Sequence, residues 1–214
     1  MKLPWKTRSG KPKPETARQP EDQGPRIEVH PSPALKVILT ELPRDEKIRI
    51  LDFGPAVAEN VSFLAQYAVR IQVVDALRES LDSDLAVRVL DGLVSDHSGI
   101  FDLVLLWDHL DYMPPAQGAE IVEAALPLCR PDARCMVQTR TTATMSARPL
   151  TYRVRDEKHL VYEWLSREET GAPQMTPAAV EEVLKGFSIE HAFVLRNGVR
   201  EYVATRNPLS VAAR

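Results

Sequence analysis

Four acids and one histidine stand where apolar runs give way to loops. Asp52 closes residues 48–51 and precedes Phe53-Gly54-Pro55-Ala56. Asp75 closes residues 71–74. Asp108, His109 and Asp111 follow Phe101–Trp107, with Tyr112 beside them. An acid after a buried strand accepts hydrogen bonds, either from its own loop amides or from the hydroxyls of a ligand. A glycine in the first turn lets backbone approach a ligand closely. Asp108, His109 and Tyr112 have side chains that exchange or donate protons, which makes them the candidate catalytic groups. In the bland alternative Asp111 caps the helix opened by Pro114-Pro115 and Tyr112 packs.

The elements that must hold these residues are read from apolar spacing. Residues 47–52 alternate as a strand. Val57, Val61, Leu64, Ala65 and Ala68 form an apolar stripe at helical spacing, predicting a helix over 58–67 before a strand at 71–74. Strand, glycine-bearing turn, helix, strand and acid together make the layout of a nucleotide-binding βαβ unit. A short helix is expected before it within 31–46, with Pro33 in its first turn. In residues 77–100, Leu77, Leu81, Leu85 and Val89 favour a helix, although 86–91 also fits a short strand. Residues 101–107 are apolar enough for a strand buried on both faces. A helix from Pro114-Pro115, a turn at 130–133 and a strand at 134–139 follow. Residues 140–175 read as an insertion over the sheet, with a hairpin on either side of Asp156-Glu157-Lys158. Tyr152, Tyr162 and Trp164 on that hairpin either roof a pocket or, the favoured reading, pack on the sheet; Arg140 opens a loop that either meets substrate or is solvated. Thr176-Pro177 starts a helix, and Asn197-Gly198 is the turn of a terminal hairpin. Alternating strands and helices predict one α/β domain with a mainly parallel sheet and one antiparallel strand from the hairpin.

Composition bounds the rest. The chain has 214 residues, 44% of them hydrophobic, enough for one sizeable core. Residues 1–30 hold seven Lys/Arg and four Asp/Glu with recurrent proline, and read as a disordered tail. That tail is +3, so the rest of the chain carries −6 within the total of −3, a poor match for nucleic acid. The body is expected to be residues 31–208, with 209–214 a second short tail. No secretory signal or apolar run of membrane-spanning length stands in the sequence, so a soluble cytoplasmic protein is expected. Cys129 and Cys135 fit core packing, and the five histidines show no metal-ligand spacing, so no metal is expected.

Four stretches in order resemble the class I S-adenosylmethionine-dependent methyltransferases: ILDFGPAVAEN, VVDA, FDLVLLWDHLDYM and LPLCRPDARCMVQTRT. The resemblance spans roughly residues 34–206. It implies a Rossmann-like three-layer αβα sandwich with S-adenosylmethionine as cofactor. Asp52, Gly54 and backbone near Ala56 would lie beside its methionine part. Asp75 would accept bonds from its ribose hydroxyls, and Asp108 would line the methionine or substrate side. Methyl transfer to a small-molecule or protein acceptor is the implied activity. The turn reads Gly-Pro-Ala-Val-Ala where the family prefers Gly-x-Gly-x-Gly, so the alternative is a methyltransferase-like binding or scaffolding protein without catalysis.

Overall fold

Two helices begin with the same device. Ser32 Oγ accepts from Leu35 N at 3.3 Å and Thr176 Oγ1 from Ala179 N at 3.2 Å, each ahead of a proline in the first helical position. The computed structural model describes residues 25–43, 45–75, 87–88, 90–93 and 99–208. The expectations for residues 1–24, 76–86, 94–98 and 209–214 lie outside the described residues. Where the chain is described between 87 and 93 it is helical, and Leu90 is fully buried.

The order of elements is β1 (Arg26–Pro31), α1 (Pro33–Glu41), β2 (Ile48–Asp52), α2 (Ala58–Leu64), β3 (Ala68–Val73), β4 (Phe101–Trp107), α3 (Pro115–Ala125) and β5 (Cys129–Arg140). Then follow β6 (Thr144–Ser146), β7 (Thr151–Asp156), β8 (His159–Trp164), β9 (Glu169–Gly171), α4 (Pro177–Val183), β10 (Phe187–Val194) and β11 (Val199–Arg206). Six strands form the main sheet in the order β10-β11-β5-β4-β2-β3. The pairs β2–β3, β2–β4 and β4–β5 are parallel, whereas β11 is antiparallel to both β5 and β10. This is an α/β fold with a mixed sheet. The chain leaves β2 toward β3 on one side and returns as β4 on the other, so the carboxyl ends of β2 and β4 flank a topological switch point, where open sheets bind ligands.

Alternation along the strands separates two cores. Leu51, Val104, Leu106, Cys135, Val137 and Tyr202 face α3 and α4. Ile50, Leu103, Leu105, Met136 and Val203 face the other way, toward α1 together with Leu150, Tyr152, Val154, Leu160 and Tyr162. The second outer layer therefore differs from the helical one expected of an αβα sandwich. It combines helix with a three-stranded sheet ordered β1-β8-β7. The expected hairpin over 152–164 supplies two of those strands.

The third strand corrects the expected tail boundary. Residues 26–31 pair antiparallel with β8, from Arg26 opposite Trp164 to Pro31 opposite His159. Two further expectations shift. The buried residues of α2 are Asn60 and Leu64, whereas Val61 of the expected stripe is 42% exposed. The expected turn at 130–133 is instead part of β5, whose pairing with β4 is irregular there, and Asp132 takes a left-handed φ of 65°. No helix among the described residues is long and apolar enough to cross a membrane.

Candidate functional site

The end of β2 and the end of β4 meet through one side chain. Trp107, the last residue of β4, takes a left-handed φ of 48°, a conformation that costs a non-glycine residue about 1–3 kcal/mol and must be held by its surroundings. Its indole Nε1 donates to Asp52 Oδ1 at 2.7 Å, and its ring stacks on Tyr152 at 5.4 Å with 6° between planes. The same carboxylate oxygen accepts from Gly54 N at 2.9 Å. A Cβ on Gly54 would lie 2.7 Å from that indole nitrogen, so the close approach of Trp107 is what requires glycine in the turn. Burial pushes Asp52 up to about 6, opposed by the indole and the Gly54 amide and reinforced by the charge of Asp75.

A cavity of about 460 Å³ opens over this junction. Phe53, Gly54, Pro55 and Val57 of the turn line one side. Asp75 after β3 and Trp107–His109 at the end of β4 line the floor, and residues 148–152 with Leu165 of the insertion form the roof. Four sequence candidates thus share one cavity: Gly54, Asp75, Asp108 and His109. Asp52 lies behind Trp107, and neither it nor Ala56 is part of the lining. Tyr112 also lies outside it, and its hydroxyl reaches the carbonyls of Ser146 and Arg148 at 3.1 and 3.0 Å. That contact fastens the segment from which the roof is built.

Asp108 is buried, and Tyr152 donates its hydroxyl to Asp108 Oδ2 at 2.8 Å. Burial raises this carboxyl to about 6, against the charge of Arg140 and the Tyr152 bond, which favour the ionised form. Asp111 accepts from Arg140 N at 2.8 Å; burial, with the charge of Asp108, raises it to about 7. His109 is buried edge-on to Phe53, with ring centroids 6.1 Å apart. Burial lowers it to about 4, so its imidazole is neutral at ordinary pH. Tyr152 is held from behind: Asn60 Nδ2 donates to its carbonyl at 2.8 Å, and Asn60 Oδ1 accepts from Val154 N at 2.7 Å.

Trp107 and Asn60 were not singled out by sequence reasoning. A tryptophan ending an apolar run reads as core, and an asparagine beside an apolar stripe reads as a solvent-facing position. The stripe of Val57, Val61 and Leu64 passes Asn60 without a break, so the local spacing carries no signal for it. Tyr152 fills both roles open to it, packing on the sheet and roofing the cavity.

No protein-family model matches the chain, and no curated protein sequence matches it. Solved structures do. One is the 1,6-didemethyltoxoflavin-N1-methyltransferase of Burkholderia thailandensis, with bound 1,6-didemethyltoxoflavin and S-adenosylhomocysteine. It matches with a TM-score of 0.50 at 17% identity, over 82% of this chain and 77% of that one. Another is an S-adenosylmethionine-dependent methyltransferase from Mesorhizobium loti, with a TM-score of 0.46 at 17% identity over 81% of this chain and 96% of that one. At such identities the likeness is one of fold. The chain has the fold of the class I S-adenosylmethionine-dependent methyltransferases.

Proposed function

We propose that this chain transfers a methyl group from S-adenosylmethionine to a small-molecule acceptor in the cavity over Trp107. The observation that carries the reading is the placement of Gly54, Asp75 and Asp108 around one 460 Å³ cavity at the switch point of the sheet. The lining fits the cofactor's chemistry. Asp75 offers a carboxylate to ribose hydroxyls, Asp108 offers negative charge above about pH 6, and Phe53, Pro149 and Leu150 offer apolar walls. When bound, S-adenosylmethionine supplies a methyl group made electrophilic by its sulfonium.

The chain's own task is then alignment and proton removal. Asp108 takes the acceptor's proton as the new bond to methyl forms, with Tyr152 fixing its orientation through the 2.8 Å bond. His109, neutral and buried, shapes the floor. The roof from residues 148–152 suits a small acceptor better than a protein chain. The Burkholderia enzyme, which holds a small substrate and S-adenosylhomocysteine, is consistent with this.

Calorimetric titration with S-adenosylhomocysteine tests the reading. Saturable binding is expected, and Asp75→Ala should weaken it by about tenfold or more, the loss of hydrogen bonds to a charged acceptor. No binding at millimolar ligand would overturn it. Cofactor binding with no methyl transfer to any acceptor would leave the chain a binding protein.

A further inference from the structure

We infer that the chain has a second ligand site, for a small oxyanion such as a carboxylate or a phosphate ester, in a separate cavity on the far side of Tyr152. This cavity of about 370 Å³ is lined by Arg26, Glu28, His30, Arg140, Trp164, Arg196 and Asn197, none of which lines the larger cavity. It is bounded by β1, the end of β5, the end of β8 and the turn before β11.

Two of its groups, Arg140 and Asn197, are short of acceptors, and an exposed cation, Arg196, stands beside them. Arg140 is only 8% exposed, yet its guanidinium, with five N–H donors, makes one side-chain hydrogen bond among the described residues, a long 3.5 Å contact to Tyr152 Oη. No carboxylate lies within ion-pair distance of it among the described residues. Arg196 is exposed, and it has neither ion pair nor side-chain hydrogen bond among the described residues. Asn197 Nδ2 is buried without a hydrogen bond of ordinary geometry, the Tyr162 hydroxyl being the polar group near it. Buried donors without acceptors are costly, and the guanidinium fork matches carboxylate and phosphate oxygens.

The remaining members do not supply those acceptors. Glu28 is held by Arg26 at 2.6 Å and His30 at 2.9 Å, and the Arg26 guanidinium covers the Trp164 ring at 4.5 Å. Within the cavity the surplus positive charge therefore comes from Arg140 and Arg196, the former also in the field of Asp108. An oxyanion bound between them would accept from both guanidinium groups and from Asn197 Nδ2. The inference is independent of the methyl-transfer reading, since no residue is shared between the two cavities.

Calorimetric titration of the full chain with inorganic phosphate, and separately with malonate, at constant ionic strength tests it. Saturable binding of at least one is expected, phosphate marking a phosphate-ester ligand and malonate a carboxylate. Arg196→Ala should weaken it about fivefold or more. Asn197→Asp retains the side-chain oxygen that accepts from Val199 N at 3.3 Å while placing a negative charge in the cavity, and should abolish binding. Asp75→Ala should bind as the native chain does. Absence of saturable binding of either anion up to about 20 mM would overturn the inference. So would equal affinity in the native chain and both variants.

Discussion

Trp107 gives two of the most motif-like residues a different explanation from the one their types suggest. Asp52 and Gly54 read as ligand contacts, and both are fixed by the indole. Asp52 costs stability when ionised. Its folded-state pKa of about 6 stands above the ordinary 3.8, so its stabilising contribution is present at low pH and is lost as pH rises through 6. Asp52→Asn keeps an oxygen for both hydrogen bonds without the charge. It should raise the midpoint of thermal unfolding at pH 7.5, by up to roughly 3 kcal/mol of stability, and leave it unchanged near pH 4. Lower stability at pH 7.5 would refute this. Asp108 makes a kinetic prediction. As the base it must be ionised, so kcat/KM for methyl transfer should climb with pH and level off above about 6. Asp108→Asn should lower kcat by about a hundredfold or more with a proton-bearing acceptor. Asp75, Gly54 and Asp108 were legible because an acid or glycine directly after an apolar strand can be located from periodicity alone. The polar partners Asn60 and Arg140 come from distant chain positions, so only their convergence on Tyr152 gives them meaning.

At the scale of elements, legibility follows the inside-outside rule and fails where the rule is reversed. β4 occupies residues 101–107 as its near-continuous apolar run predicts, and β10 and β11 join at Asn197-Gly198, with Gly198 at φ 76°. β1 was hidden because its alternation is inverted. Ile27 and Val29 are the exposed residues, while Glu28 and His30 are half-buried, His30 lying 4.8 Å from the Tyr162 ring. Its partner β8 stands more than a hundred residues away, and nothing local marks the pairing. α2 is similar: two or so turns of helix are joined to β7 by the two bonds of Asn60. Asn60→Ala leaves a buried carbonyl and a buried amide without partners, a loss of about 2–4 kcal/mol. Urea unfolding should show that loss, and affinity for S-adenosylhomocysteine should fall with it, because Tyr152 loses its support. Unchanged stability would mean that water replaces both bonds.

Across the whole molecule, the order of strands and helices in the sequence is enough to set the parallel part of the sheet, because each crossover helix must return to it. How residues 140–175 and 26–31 combine over one face is not legible, since that depends on pairing between segments far apart. The resulting layer places the two cavities on either side of Tyr152. Arg140 belongs to one, Asp108 to the other, and the positive charge of Arg140 favours the ionised form of Asp108. An anion on Arg140 offsets that charge and raises the proton affinity of Asp108. The acidic limb of the methyl-transfer profile should therefore move to higher pH in saturating phosphate at fixed ionic strength; an unmoved limb would show the cavities to be electrostatically independent. The tryptophans convert this arrangement into an optical one. Trp107 lines the larger cavity against a carboxylate, and Trp164 lines the smaller one beneath a guanidinium. Each cavity thus carries its own fluorophore, and a ligand entering either one should change the emission of the tryptophan that lines it.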